Sequence, residues 1–407
     1  AHHPCSPPVP ASQVTKKELW LQYTKSCDVA QQPTQGSEHI LWRAWKTHME
    51  IMVTRPTGHD VCPFCHSIQS RQAALEDLIT EDAKAERKKL SAEVVEHKQF
   101  NGRERSFYTS ACHASRHHPE RVTCLTIDAP TRHQFDLPSQ ARAKRDMPKG
   151  LDANLRWSSK VEGVLDAGVG MMAYVARSCI GGGANLVCTV LMLTLFCHVR
   201  LGRPLGDELH LQLDNTTAEN KNWIVIALLG WLVWSDTFKT ANRFFLHVGH
   251  TFNDLDQTFG PLIIQMMRTL LPTIESMLSF LTQKLAVFSV REVLDLPHLW
   301  DFKEWFAPLI AAPVKGMATS QQSSGMHHIL ITKDEQGDVR AYFRQSSQSS
   351  TWLPEGAGIL IFKRGLTPPA GPPPVFRPKS DNEWRRQEVC IQPDVCGINL
   401  MITFVSV

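Results

Sequence analysis

The chain has 407 residues, 43 % hydrophobic and 20 % charged, enough apolar material for packed cores in two or three domains, and this excludes a disordered protein. The net charge of +3 is too small to argue for a nucleic-acid partner, although Lys and Arg are dense from Lys84 to Arg145 and sparse from Ala184 to Leu270. Eleven cysteines, an odd number scattered through apolar runs such as Cys179, Cys188 and Cys197, suit a reducing cytosolic or nuclear compartment better than a disulfide framework.

No signal peptide is visible, and the opening residue is Ala1, so a fragment of a longer protein is expected. Residues 1–36 are rich in Pro, Gln and Ser and read as a partly ordered leader with a helical patch near Lys17–Tyr23. Residues 37–118 read as helical, with Ile40, Trp42, Trp45, Met49 and Met52 at spacings of two to four. Within them lies Gly58-His-Asp-Val-Cys-Pro-Phe-Cys-His66. A long charged helix follows, roughly Gln69–Phe100, and Arg103–Tyr108 continues it.

From 119 to 315 strands alternate with helices, which predicts an α/β domain. Val122–Ile127 alternates and ends on Asp128; Lys160–Val175 supplies further strand; Ile180–Ala184 turns into an apolar helix at Leu186–Val199. Leu209, Leu211 and Leu213 form the next half-buried strand, which stops at Asp214-Asn215. Trp223–Trp234 is a second apolar helix. It and Leu186–Val199 fall short of the ~20 residues that cross a bilayer, so no membrane partner is expected. A short strand at Phe244–Val248 and a helical pattern from Phe259 to Leu281 complete the domain. Residues 316–407 read as a small β-rich region: strands at His328–Ile331, Val339–Phe343 and Gly358–Phe362, a Pro-rich linker, and a last strand at Ile398–Val405.

Three acidic positions stand at strand-to-loop junctions of the α/β domain: Asp128, Asp214, and one or both of Asp254 and Asp256. Carboxylates so placed can hold two divalent ions about 4 Å apart, one activating the attacking oxygen of a phosphodiester reaction and one steadying the leaving oxygen. Mg²⁺, or Mn²⁺, suits such oxygen ligands. The plainer reading of Asp214 alone is a helix cap. Cys62 and Cys65 have the spacing of half a zinc site, for which His97 and one of His59, His66, Cys27 or Cys112 are candidate partners. The basic stretch Arg103–Lys149, with His113, His117 and His118, offers a path for phosphates. Neither a P-loop nor a Gly-x-Ser-x-Gly elbow occurs.

Leu213-Asp-Asn-Thr-Thr-Ala-Glu-Asn-Lys-Asn222, followed by Val248-Gly-His-Thr-x-x-Asp-x-Asp-Gln257, resembles an uncharacterised eukaryotic, transposon-derived family with a DDE-transposase-type, RNase H-like domain. Cys62, Cys65, His97, Arg105-Ser-Phe-Tyr108 and Ile127-Asp-Ala-Pro130 fit the same outline. The resemblance spans about residues 60–310 and implies an RNase H-like mixed sheet flanked by helices, with a helical, zinc-associated N-terminal region and a β-rich C-terminal one. It implies Asp128, Asp214 and Asp254 or Asp256 as ligands of Mg²⁺ or Mn²⁺, and a site role for His250. The activity implied is DNA cleavage and strand transfer of the kind that integrates a transposable element. The partner is then DNA, a homo-oligomer is compatible, and the compartment is the nucleus, with the cytoplasm as the alternative. The family pattern reads Gly-His-Thr-His-Glu-Asp, whereas Phe252 and Asn253 stand here. The alternative is therefore a domesticated copy that binds DNA, or serves as a scaffold, without cutting.

Overall fold

The computed structural model describes residues 62–130, 135–137, 159–177, 181–216, 219–247, 253–285, 290–296, 298–317, 326–369 and 371–376, together with Trp20 and Thr24. His250, most of the leader, Arg142, Lys144, Arg145, Lys149 and the expected strand at Ile398–Val405 lie outside the described residues. Two compact units comprise residues 1–83 and 84–407.

In the first unit Cys62 is the N-cap of helix α1 (Pro63–Ala74). Pro63 sits at the start of the helix, where its missing N–H costs nothing. The one continuous helix expected from Gln69 is instead split, because α1 ends at Ala74 and α2 spans Glu81–His117. The first turn of α2 carries Glu81 and Asp82 and its last carries Arg116 and His117, an order that suits the helix dipole.

The second unit is built on one mixed sheet. Strands β1 (Val122–Asp128), β2 (Ser159–Asp166) and β3 (Gly170–Arg177) pair antiparallel in sequence. Helix α3 (Ala184–Arg200) then carries the chain over to β4 (Glu208–Leu213), parallel to β1, and α4 (Trp223–Trp234) carries it to β5 (Thr240–Phe245), parallel to β4. Helices α5 (Asp254–Met266) and α6 (Ile274–Leu285) return it to β6 (Val290–Leu296) beside β3. Two short helices, α7 (Phe302–Phe306) and α8 (Ala312–Met317), precede β7 (His328–Lys333), β8 (Val339–Arg344) and β9 (Ile359–Leu360). The order across the sheet is β6-β3-β2-β1-β4-β5-β7-β8-β9.

The strands expected to form a β-rich region of their own therefore extend the same sheet, with β7 antiparallel to β5. The expected helix Phe259–Leu281 is two helices, since Pro272 disfavours helical backbone in the residue before it. Lys160–Val175 is a hairpin of two strands.

Each face of the sheet buries its own cluster. On one, Leu125, Ile127, Val164, Met172 and Tyr174 pack with α3 and α4. The latter is apolar all round because it is buried from Ile224 to Val233, between the sheet and the segment around Trp305 and Phe362. On the other, Val161, Ala173 and Val175 pack with α5 and α6, while Cys124 and Phe244 pack with Tyr108 and Cys112 of α2. No helix among the described residues is long and apolar enough to cross a membrane.

Candidate acidic site at the strand ends

The parallel register of β1 and β4 pairs Thr126 with Gln212. Continued by two residues, it sets Asp128 level with Asp214 at the carboxyl end of the sheet, the rim where open α/β sheets place their ligands. Asp128 lies opposite Gly163 of β2. A Cβ at Gly163 would stand 2.5 Å from Phe259 Cζ, so the glycine is what lets α5 approach the sheet so closely.

That approach brings the start of α5 to Asp128. Asn253 is the N-cap, its Oδ1 accepting from the backbone of Leu255 at 2.8 Å and Asp256 at 3.1 Å, while Asp256 Oδ2 accepts from the Asn253 backbone at 3.0 Å. The Asn253 amide nitrogen donates to Asp128 Oδ2 at 2.9 Å. Burial, then the neighbouring Asp256 carboxylate, and to a lesser degree Asp214, push Asp128 up to about 7 against the pull of the Asn253 hydrogen bond. Asp256 thus faces Asp128. Asp254 is exposed, and its field acts on Tyr108 and Cys112.

Asp214 is half-buried and ends β4. Its Oδ1 accepts from Thr216 N at 3.1 Å, from Thr216 Oγ1 at 2.7 Å and from Asn220 Nδ2. The loop that folds back so tightly is pinned from below by Arg243, which donates to the Asn220 carbonyl at 2.8 Å. Arg243 is 2 % exposed, and burial pushes it down to about 9. It and Lys221 lie over the ring of Phe245, at 5.2 and 4.9 Å.

Glu162 is a member of this rim that the sequence reading passed over. It is 5 % exposed, and burial, then Glu219, with smaller contributions from Asp128 and Asp214, push it up to about 8, opposed by Lys160. Lys160 pairs with Glu219 at 3.8 Å. The available signal was Lys160-Val-Glu162, which puts two charges on the same side of an otherwise apolar strand. Among the described residues no three carboxylates bring their oxygens within 4.8 Å of one another; the acids face each other without closing on a single point.

Of the expected zinc ligands, Cys62 is buried at the N-cap of α1, Cys65 stands in the first turn of that helix, and His97 lies on α2. Two thiolates and an imidazole are the donor set of a structural zinc site, with one of four positions left to fill. Asn101 Nδ2 lies 3.0 Å from His97 Nε2. Of the fourth-ligand candidates, His59 and Cys27 lie outside the described residues, and Cys112 faces Cys124, their sulfurs 3.7 Å apart. The expected basic path is described only on α2 and in the turn after it: the rings of His113 and His117 are 4.2 Å apart, and Arg116 Nε donates to the Ala167 carbonyl.

Comparison with known families matches residues 149–349 to a domain of unknown function, DUF7869, a similarity over just under half of the chain. The stretch contains Glu162, Asp214, Glu219, Asn253 and Asp256, but neither Asp128 nor the Cys2His group. No curated protein and no solved structure matches.

Proposed function

We propose that the chain is a DDE-type transposase, or a nuclease derived from one, acting on phosphodiester bonds of DNA with Mg²⁺ or Mn²⁺. The observation that carries this reading is the level placement of Asp128 and Asp214 on adjacent parallel strands, with Asp256 facing Asp128 from the start of α5. The mixed sheet, an antiparallel meander continued by two parallel strands through crossover helices, supports an RNase H-like domain.

On this reading Asp128, Asp214 and Asp256 hold the divalent ions. When bound, such ions supply an activated oxygen nucleophile and charge stabilisation on the phosphate. The chain's own part is orientation. Thr216 and Asn220 fix one oxygen of Asp214 and leave the other for a ligand. The Asn253 amide fixes Asp128 until a cation takes its place. Cys62, Cys65 and His97 hold a structural zinc. DNA is the partner, a homo-oligomer is compatible with this activity, and the nucleus is the compartment.

The experiment is Mn²⁺-dependent nicking of labelled DNA by the purified protein, compared with Asp214→Asn. Nicking that persists unchanged in the variant refutes the assignment. A second reading, a domesticated DNA-binding or scaffold protein that does not cut, is favoured by one observation. Asn253 stands where the resembled family has Glu, and it gives Asp128 a hydrogen bond where that family has a further carboxylate. Salt-sensitive DNA binding without nicking is its signature.

A further inference from the structure

At the end of the sheet away from the acidic rim, the β2–β3 turn, the start of β1 and the close of α3 enclose a small pocket. The antiparallel register sets Leu125 opposite Asp166, so β2 ends beside the amino half of β1. Asp166 is 1 % exposed. Its Oδ1 accepts from Gly168 N at 3.0 Å, and its Oδ2 lies 2.9 Å from His198 Nε2, an ion-pair contact with the last turn of α3. An ionised carboxylate only accepts, so the ring proton belongs at Nε2. The other ring nitrogen, His198 Nδ1, is buried without a partner, in a residue 4 % exposed. A nitrogen left in that state has lost its hydration for nothing unless a ligand meets it.

His198 lines a pocket of about 50 Å³ together with Ser115, Arg203 and four apolar residues, Pro119, Val122, Val169 and Pro204. Pro204 is exposed, so the pocket reaches the surface. Two guanidiniums stand around the turn: Arg203 donates to the Gly168 carbonyl at 3.0 Å and Arg116 to the Ala167 carbonyl at 3.1 Å. Neither is ion-paired among the described residues, so the surroundings favour an anion. An acceptor at Nδ1 lets the His198 ring carry both protons and balance Asp166 in full. Ser115 Oγ accepts from Cys124 N at 3.1 Å, which leaves its own proton to donate. No hydrogen bond joins Ser115 to His198 among the described residues, so these groups are arranged to hold a ligand and not as nucleophile and base.

The volume is about a third of the ~150 Å³ that takes a benzene ring, and suits a group of a few heavy atoms. Phosphate, with oxygens on every side, would press acceptor atoms onto the proline and valine walls, where no donor meets them. A carboxylate presents its oxygens at one end only. We propose that this pocket binds a small aliphatic monocarboxylate. One carboxylate oxygen lies on His198 Nδ1, the other on Arg203 and Ser115, and the alkyl group rests against Val122, Val169 and the two prolines. The site is separate from the acidic rim and does not depend on the nuclease reading.

The test is acetate binding to the full chain by saturation-transfer NMR, with propionate, benzoate and inorganic phosphate as comparisons. With so few atoms such a ligand binds at millimolar strength. The wild type is expected to bind acetate and propionate, and to bind the bulkier benzoate and the phosphate much more weakly. His198→Gln keeps an N–H where Nε2 meets Asp166 and deletes Nδ1. Arg203→Gln, at a half-buried residue, removes the guanidinium and leaves the Asp166–His198 pair in place. Each is expected to lower acetate affinity about tenfold or more, the usual worth of a hydrogen bond to a charged group. Imidazole ¹⁵N spectra of the wild type need no variant: His198 Nδ1 is expected to gain a proton as acetate is added. The proposal is overturned if the wild type binds no acetate, if phosphate binds as tightly as acetate, if saturating acetate leaves the His198 ring unchanged, or if either variant keeps the wild-type affinity.

Discussion

Glu162 offers a measurement that needs no substrate. Its ordinary value is 4.5, and in the fold burial and Glu219 push it up to about 8. Between those values the folded chain holds a proton that the unfolded chain has released, so the stability that Glu162 contributes falls as pH rises from about 4.5 through 8. Across that window the slope is about −1.4 kcal/mol per pH unit, which sums to roughly 4 kcal/mol lost between pH 5 and pH 9. Glu162→Gln removes this one titration and leaves every other group in place. Denaturant unfolding of both proteins at several pH values, in buffer free of divalent ions, isolates it: the variant is expected to gain on the wild type steadily toward pH 9. Comparing slopes also cancels the fixed cost of burying an amide. Parallel curves for the two proteins would refute the reasoning, because they would mean that Glu162 titrates alike in both states.

Asn253→Ala removes both the cap of α5 and the donor to Asp128; a loss of about 1–2 kcal/mol in chemical denaturation is expected. Asn253→Asp keeps the cap and replaces the donor by a charge. It is expected to bind Mn²⁺ more tightly than wild type while melting at a lower temperature without metal; looser Mn²⁺ binding contradicts the placement. Gly163→Ala puts a methyl against Phe259 and is expected to cost about 1–3 kcal/mol. A neutral result would mean that α5 does not press on β2. Cys65→Ser is expected to lose zinc by elemental analysis, and a purified wild type without stoichiometric zinc overturns the Cys2His assignment.

The apolar elements were legible because their patterns are long and uninterrupted. Trp223–Trp234 reads as a buried helix, and it is one with those bounds. Leu186–Val199 grows only to Ala184–Arg200. The two acids that end alternating strands, Asp128 and Asp214, were legible for a related reason: the alternation stops where they stand. Glu162 was not. A glutamate inside a strand ordinarily points to water, and only pairing with β3 and the covering helix α3 put this one in the interior. Arg243 misled the reading of β5 in the same way, since a buried arginine interrupts the apolar pattern of a strand that in fact begins at Thr240. Asn253 stood out by sequence as a missing acid, but its role as a cap that also bonds Asp128 depends on the approach of α5 over Gly163. No local pattern records that. The distinction between Asp254 and Asp256 likewise follows from which side of the first turn of α5 meets the sheet.

The pairing of β7 onto β5 bears on how the protein can be cut. A fragment ending near residue 315, where the α/β pattern stops, would leave β5 with a bare row of backbone donors and acceptors from Thr240 to Phe244, now satisfied by His328–Thr332. Such an open edge is a template for any passing strand and the usual starting point of aggregation. The last strands are also fastened from the far side, where His328 and Ser347 both bond the buried Glu104 of α2. What the chain order presents as an appendage closes the edge of the sheet, so that a soluble, shortened form has to keep β7 and β8.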